Sequence, residues 1–125
     1  MKYDDFVGQV QNKAKLATSQ EAIKAIRATL QTLAERIVTG EAQNLAAQLP
    51  QEIGDYVREV EKDEQFSLDT FFKRVAEREG VDEPDAVYHA RAVMTVVSEA
   101  VTEGEMEDVR EQLPMQEYAP LFESV

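Results

Sequence analysis

The chain has 125 residues, with 13 Lys and Arg against 25 Asp and Glu, one His and no Cys or Trp, giving a net charge of −12. A chain of this length forms one domain, burying roughly two thirds of the surface that its unfolded form exposes. Its apolar share of 43% is ordinary for a globular protein and excludes wholesale disorder. Without Cys there is no disulfide, thiolate zinc site, iron–sulfur cluster or cysteine nucleophile. The negative charge argues against sequence-independent binding to DNA or RNA, which depends on Lys and Arg at phosphates. The N-terminus, Met1-Lys2-Tyr3-Asp4-Asp5-Phe6, lacks the apolar core of a secretory signal. Nor does any stretch reach the roughly 18 apolar residues of a spanning helix. A cytoplasmic protein without membrane insertion is expected.

Taken along the chain, Tyr3, Phe6, Val7, Val10 and Ala14 recur at helical spacing and predict a first amphipathic helix. Thr18-Ser19-Gln20-Glu21 has capping-box spacing ahead of a long second helix, whose buried stripe is Ala22, Ile23, Ile26, Leu30, Leu33 and Ile37. Gly40 is expected in the left-handed position that closes it. A short third helix over 41–48 stops at Pro50, because the residue before Pro is biased away from helical geometry. Ile53, Tyr56, Val57 and Val60 mark a fourth. Beyond the polar run Glu61-Lys62-Asp63-Glu64-Gln65, Ser67 caps a fifth helix carrying Leu68, Phe71, Phe72, Val75 and Ala76. Phe66 and Phe71 are placed there to form a hydrophobic staple. Asp82 is expected to cap the sixth helix, with Pro84 in its tolerant first turn and Gly104 closing it. A seventh helix over 105–112 stops at Pro114, and Tyr118, Leu121 and Phe122 form a last turn or packed tail broken by Pro120. Strand signals are missing: no alternating Val/Ile/Thr run sits between turn residues, and no Asn-Gly pair occurs. The fold class is all-α, a single bundle of about seven to eight helices.

The chain also resembles itself. A shift of 64 aligns Arg27-Ala28-Thr29-Leu30 with Arg91-Ala92-Val93-Met94, Gly40-Glu41 with Gly104-Glu105, and Gln48-Leu49-Pro50 with Gln112-Leu113-Pro114. Upstream the shift becomes 65, and Asp4-Asp5-Phe6-Val7 meets Asp69-Thr70-Phe71-Phe72. We read two tandem, pseudo-symmetric copies within one domain spanning 1–125: repeat one over 3–57, a linker over 58–67 and repeat two over 68–122. The pattern Arg-x-x-Leu-x-x-Leu-x-x-x-Ile-x-x-Gly-Glu followed by Leu45-Ala46-Ala47-Gln48-Leu49-Pro50 resembles the bacterial domain-of-unknown-function 2267 family over nearly the whole chain. That resemblance implies a compact all-helical bacterial protein, usually cytoplasmic. It brings no established activity, catalytic residue or cofactor. The second copy departs from the motif, reading Val109-Arg110-Glu111-Gln112-Leu113-Pro114.

No residue set carries recognisable catalytic, cofactor or metal chemistry, so none is assigned. His89, the single histidine, lies near the edge of the sixth helix's apolar stripe, with Asp85 one turn earlier. Asp85 suits a role as its orienting carboxylate, and equally the first turn of a helix, where the dipole favours acids. A di-iron carboxylate centre needs two Glu-x-x-His pairs, which a chain with one His does not supply, and the acidic runs at 82–85 and 103–108 do not fit the calcium-binding loop of the EF-hand, which leaves weak surface binding of divalent cations open. If the two long helices pair antiparallel, Arg27 meets Glu99 and Arg91 meets Glu35. Their angular distance from the apolar stripe favours solvated charges instead.

Two asymmetries between the copies remain. The sixth helix adds Val93, Val96 and Ala100 where the second has Thr29, Thr32 and Arg36, giving an apolar arc wider than a one-sided helix requires. That arc suits either a central packing role or a homodimer or partner surface. Residues 1–62 hold eight basic and nine acidic side chains, whereas 63–125 hold five and sixteen. Much of the difference sits where Thr39, Gln43, Asn44 and Ala47 become Glu103, Glu107, Asp108 and Glu111. The candidate interaction surface is therefore Val93, Val96, Ala100, Glu103, Glu107, Asp108 and Glu111. The leading functional reading is a non-enzymatic protein-interaction or regulatory module. The alternative is a small-molecule-binding protein or enzyme with a pocket between the copies near His89, Tyr88 or Arg91.

Overall fold

A computed structural model describes residues 1–125. Eight α-helices follow one another: α1 (Tyr3–Lys13), α2 (Ser19–Arg36), α3 (Thr39–Gln48), α4 (Gln51–Arg58), α5 (Leu68–Glu79), α6 (Glu83–Ala100), α7 (Glu103–Glu111) and α8 (Met115–Tyr118). A 3₁₀ turn, Ala119–Phe122, ends the chain's regular structure, and there are no strands. The first four helices begin at 3, 19, 39 and 51 and the last four at 68, 83, 103 and 115, offsets of 65, 64, 64 and 64. No helix is long and apolar enough to cross a membrane.

Local chemistry sets most helix starts. The Glu21 amide donates to Thr18 Oγ1 at 3.2 Å, and the Thr18 hydroxyl lies 3.0 Å from Glu21 Oε1, fixing the start of α2. Ser67 caps α5 by accepting from the Thr70 amide at 3.1 Å, and the Phe66 and Phe71 rings sit 6.4 Å apart across that start. Asp82 occupies the N-cap position of α6, but its side chain makes no capping bond. The expected glycine stops fall elsewhere. Gly40 and Gly104 lie inside the first turns of α3 and α7, and Gly80, with φ of +76°, is the glycine that takes the left-handed conformation, closing α5. Helices α2 and α6 end earlier because Ile37 and Val101 turn extended, which sends the buried Ile37 side chain into the core. A different glycine is required by space. A Cβ on Gly54 would stand 2.7 Å from the Ala46 carbonyl oxygen, so only a bare α-carbon lets α4 sit this close to α3.

All of these helices contribute to one apolar core of 32 buried residues. Helix α2 is surrounded by α1, α4, α5 and α6, while α6 packs on α1, α2, α5 and the terminal 3₁₀ turn. That enclosure explains the wide arc of α6: Val93 and Val96 are fully buried, and Ala100 is half-buried against the core. The extra apolar face is internal packing, not an open surface. The large apolar side chains left exposed are Met1, Val38 and Val125, which form no continuous patch in sequence or on one helix.

Candidate functional site

The acidic half of the expected surface is assembled by α7. Thr102 caps this helix, accepting from the Glu105 amide at 3.2 Å, while its own amide donates to Gln48 Oε1 at 2.8 Å. These bonds hold the start of α7 against α3 and turn Met106 and Val109 into the core. Glu103, Glu107 and Glu111, spaced by four, then run along the exposed face with Asp108 beside them. All four are exposed and none takes part in any of the ten ion pairs of the chain. The one basic residue of α7, Arg110, places its guanidinium 5.3 Å from the centre of the Phe122 ring. Of the seven expected surface residues, the structure therefore brings together the four acids and assigns Val93 and Val96 to the core.

Glu105, on the same helix, is only 6% exposed. One carboxylate oxygen from each of Glu105, Asp108 and Glu41 of α3 lies within 4.8 Å of the others. The Oε2 atoms of Glu41 and Glu105 are buried, and no N–H or hydroxyl group of another residue donates to them. Burial, then the hydrogen bond and charge of Glu41, then the charge of Asp108, push the Glu105 carboxyl up to about 8. A carboxyl raised above its unfolded value binds a proton more tightly when folded, so it favours folding at low pH and loses that contribution as pH rises toward 8. Glu105→Gln keeps the neutral shape without the titration. Its melting temperature should exceed that of wild type at pH 7.5, with the two curves converging near about pH 5, in thermal melts across that range. Equal pH slopes for both proteins would contradict this assignment. The sequence aligned Gly40-Glu41 with Gly104-Glu105 but gave neither glutamate a role. The signals were the paired alignment and the i, i+3 spacing of Glu105 and Asp108.

His89 is 8% exposed and its Nδ1 pairs with the carboxylate of Glu79, at the end of α5, rather than with Asp85. The left-handed turn at Gly80 folds α5 back beside α6 and brings Glu79 inward, whereas Asp85 stays exposed in the first turn of α6. The hydrogen bond that His89 donates to Glu79 raises the His89 pKa; burial opposes this, and the charges of Glu79, Asp85 and Glu21 add to it. Glu79 Oε1 is buried without a partner. Both residues border a cavity of about 200 Å³ that is also lined by Leu16, Glu21, Lys24, Gly80 and Val81. Tyr88 and Arg91 do not join them. The Tyr88 hydroxyl donates to the Lys13 carbonyl at 3.0 Å, and Arg91 Nε donates to the Pro120 carbonyl at 2.8 Å.

The two antiparallel ion pairs considered from sequence do not form. Arg27 lies 3.5 Å from Glu59, Glu99 lies 3.5 Å from Lys13, and Arg91 lies 3.6 Å from Glu123. Glu35 is not solvated either: it is 5% exposed and accepts from Arg74 at 3.1 Å and Arg78 at 2.8 Å. Arg78 also donates to Thr32 Oγ1, and Arg74 to Glu64, so α2, α5 and the linker are tied together. Burial pushes the Glu35 carboxyl up, but the hydrogen bonds and charges of Arg78 and Arg74 outweigh it and hold the group below its ordinary range.

Residues 3–121 match the model of a family described as Uncharacterized conserved protein (DUF2267). No curated protein matches the chain. With nearly its whole length covered, the chain belongs to the DUF2267 family.

Proposed function

We propose that this domain is a non-enzymatic interaction or regulatory module, and that its docking face is the acidic side of α7, which recognises a Lys- and Arg-rich segment of another protein. One observation carries the reading. Glu103, Glu107, Asp108 and Glu111 share an exposed helix face, and no basic side chain of the chain neutralises them. Clustered like charges raise the energy of the free protein, and a cationic partner relieves that repulsion while being steered toward the face. A homodimer through α6 loses its support, because Val93 and Val96 are already buried within one chain. The module is read as cytoplasmic and bacterial, and as built from two copies, for which the constant offsets between helix starts are the support. On that reading the nearly neutral first copy is the internal comparison for the acidic second.

A titration of isotope-labelled protein with a Lys- and Arg-rich peptide, followed by amide chemical shifts, tests the assignment. Shifts should cluster at residues 103–111 and on the adjoining α3, and collapse on raising salt from about 50 to about 300 mM. Shifts spread evenly over every acidic segment, including 4–5 and 82–85, would contradict a dedicated face. A second reading, a small-molecule site at His89, is favoured by the cavity of about 200 Å³ beside the Glu79–His89 pair. Its size suits a ligand of only a few atoms, below the range of roughly 300 Å³ upward for drug-sized ligands.

A further inference from the structure

We propose that Glu41, Glu105 and Asp108 form a binding site for one divalent cation of the hard, oxygen-preferring class, with Ca²⁺ as the best fit. Glu41 and Glu105 come from the first turns of α3 and α7 and Asp108 from the middle of α7, and one oxygen of each lies within 4.8 Å of the other two. Three atoms so spaced all lie within about 2.8 Å of a common point, close to the roughly 2.3–2.6 Å of Ca²⁺–oxygen bonds. A contraction of a few tenths of an ångström completes that part of the shell. Mg²⁺ demands shorter bonds in a stricter octahedron, and soft metals prefer sulfur or imidazole, which this cluster lacks.

A second observation points to a ligand. Glu105 is more than nine-tenths buried, and no N–H or hydroxyl group outside the cluster donates to its Oε2 or to that of Glu41. A glutamate three residues after a Thr N-cap ordinarily folds back on the amide of that Thr. Here the Thr102 amide is already taken by Gln48 Oε1 at 2.8 Å, so the Glu105 carboxylate is left facing Glu41. None of the three acids has a basic partner among the ten ion pairs. Burying a carboxylate without a partner is costly, and a bound cation removes that cost. Asp108 is exposed, which leaves the ion an entry path and room for water to fill the remaining coordination positions.

The inference does not rest on the docking reading, since it needs only these three side chains. Calorimetric titration of chelator-treated protein with CaCl₂ at pH 7 should show one saturable site. Substoichiometric Mn²⁺ should selectively broaden the amide signals around residues 41, 105 and 108. Glu105→Gln, which is expected to fold at least as stably as wild type, and Asp108→Asn, at an exposed position, should each weaken binding at least about tenfold. No saturable Ca²⁺ binding in the wild type, unchanged affinity in both variants, or Mn²⁺ broadening centred elsewhere would each overturn the site.

Discussion

Val96→Glu abolishes the fold. Val96 is fully buried on α6, the helix enclosed by α1, α2, α5 and the terminal 3₁₀ turn. An ionised carboxylate there would cost a large share of the about 5–15 kcal/mol that a domain of this kind has in total, and even the neutral acid would overpack the site and bury an unpaired polar group. Circular dichroism should show the loss of cooperative melting, and size exclusion with light scattering should show an expanded or aggregated species. A folded, monomeric Val96→Glu protein derived from a dimeric wild type would instead make the α6 arc a subunit interface. Glu107→Gln, at an exposed position with no ion pair, should melt within about 2 °C of wild type and serves as the control for handling.

Glu35→Ala is expected to destabilise the domain by about 2–3 kcal/mol, or roughly 10 °C in melting temperature. Removing the carboxylate leaves Arg74 and Arg78 without their shared acceptor and frees the clamp between α2 and α5. The figure lies below the roughly 3–5 kcal/mol of a broken, fully buried pair because the two arginine side chains keep 27% and 32% of their exposure, so water recovers part of the loss. The exposed pair of Arg27 and Glu59 gives the contrast. Glu59→Ala should cost no more than about 0.5 kcal/mol. The pH dependence has a definite sign. Since the folded-state pKa of Glu35 is depressed, its contribution is complete above the ordinary carboxylate range and disappears as pH falls through the depressed value. Urea denaturation at neutral and acid pH should therefore show the wild type and Glu35→Ala converging toward low pH. A constant gap would assign the effect to packing rather than to charge.

Much of this architecture was legible in the chain because local rules decide helices. Thr18 and Ser67 cap where their spacing predicts, Phe66 meets Phe71 across the start of α5, and Pro120 limits the last element to α8 and a 3₁₀ turn. The errors arose where distant parts of the chain decide. The angular reading of α2 treated it as one-sided, yet α1, α4, α5 and α6 enclose it, so Thr29, Thr32 and Glu35 are buried off the main stripe. The partners of Glu35 lie 39 and 43 residues away, a separation that no helical periodicity reports. Asp85 takes the first-turn position its place in α6 favours, and the carboxylate partner of His89 is Glu79, which the Gly80 turn delivers from the previous helix. Gly40 and Gly104 were misplaced because a glycine near a helix boundary fits a stop and a first turn equally well. Only the extended Ile37 and Val101 distinguish the two. The acidic row on α7 was legible because exposure at four-residue spacing is itself a local property. The Glu41–Glu105 approach was not, since it depends on how α3 meets α7.

The central claim is that the unpaired carboxylates of α7 are a docking face. Its most direct test is affinity capture from the native cell with mass spectrometry, using wild type and the variant Glu103→Thr, Glu107→Gln, Asp108→Asn and Glu111→Ala, which carries the corresponding residues of the first half. Capture at about 50 mM salt should yield a protein with a Lys- and Arg-rich surface that is lost both in the variant and at about 300 mM salt. The same set of proteins retained by a folded variant at low salt would contradict the account.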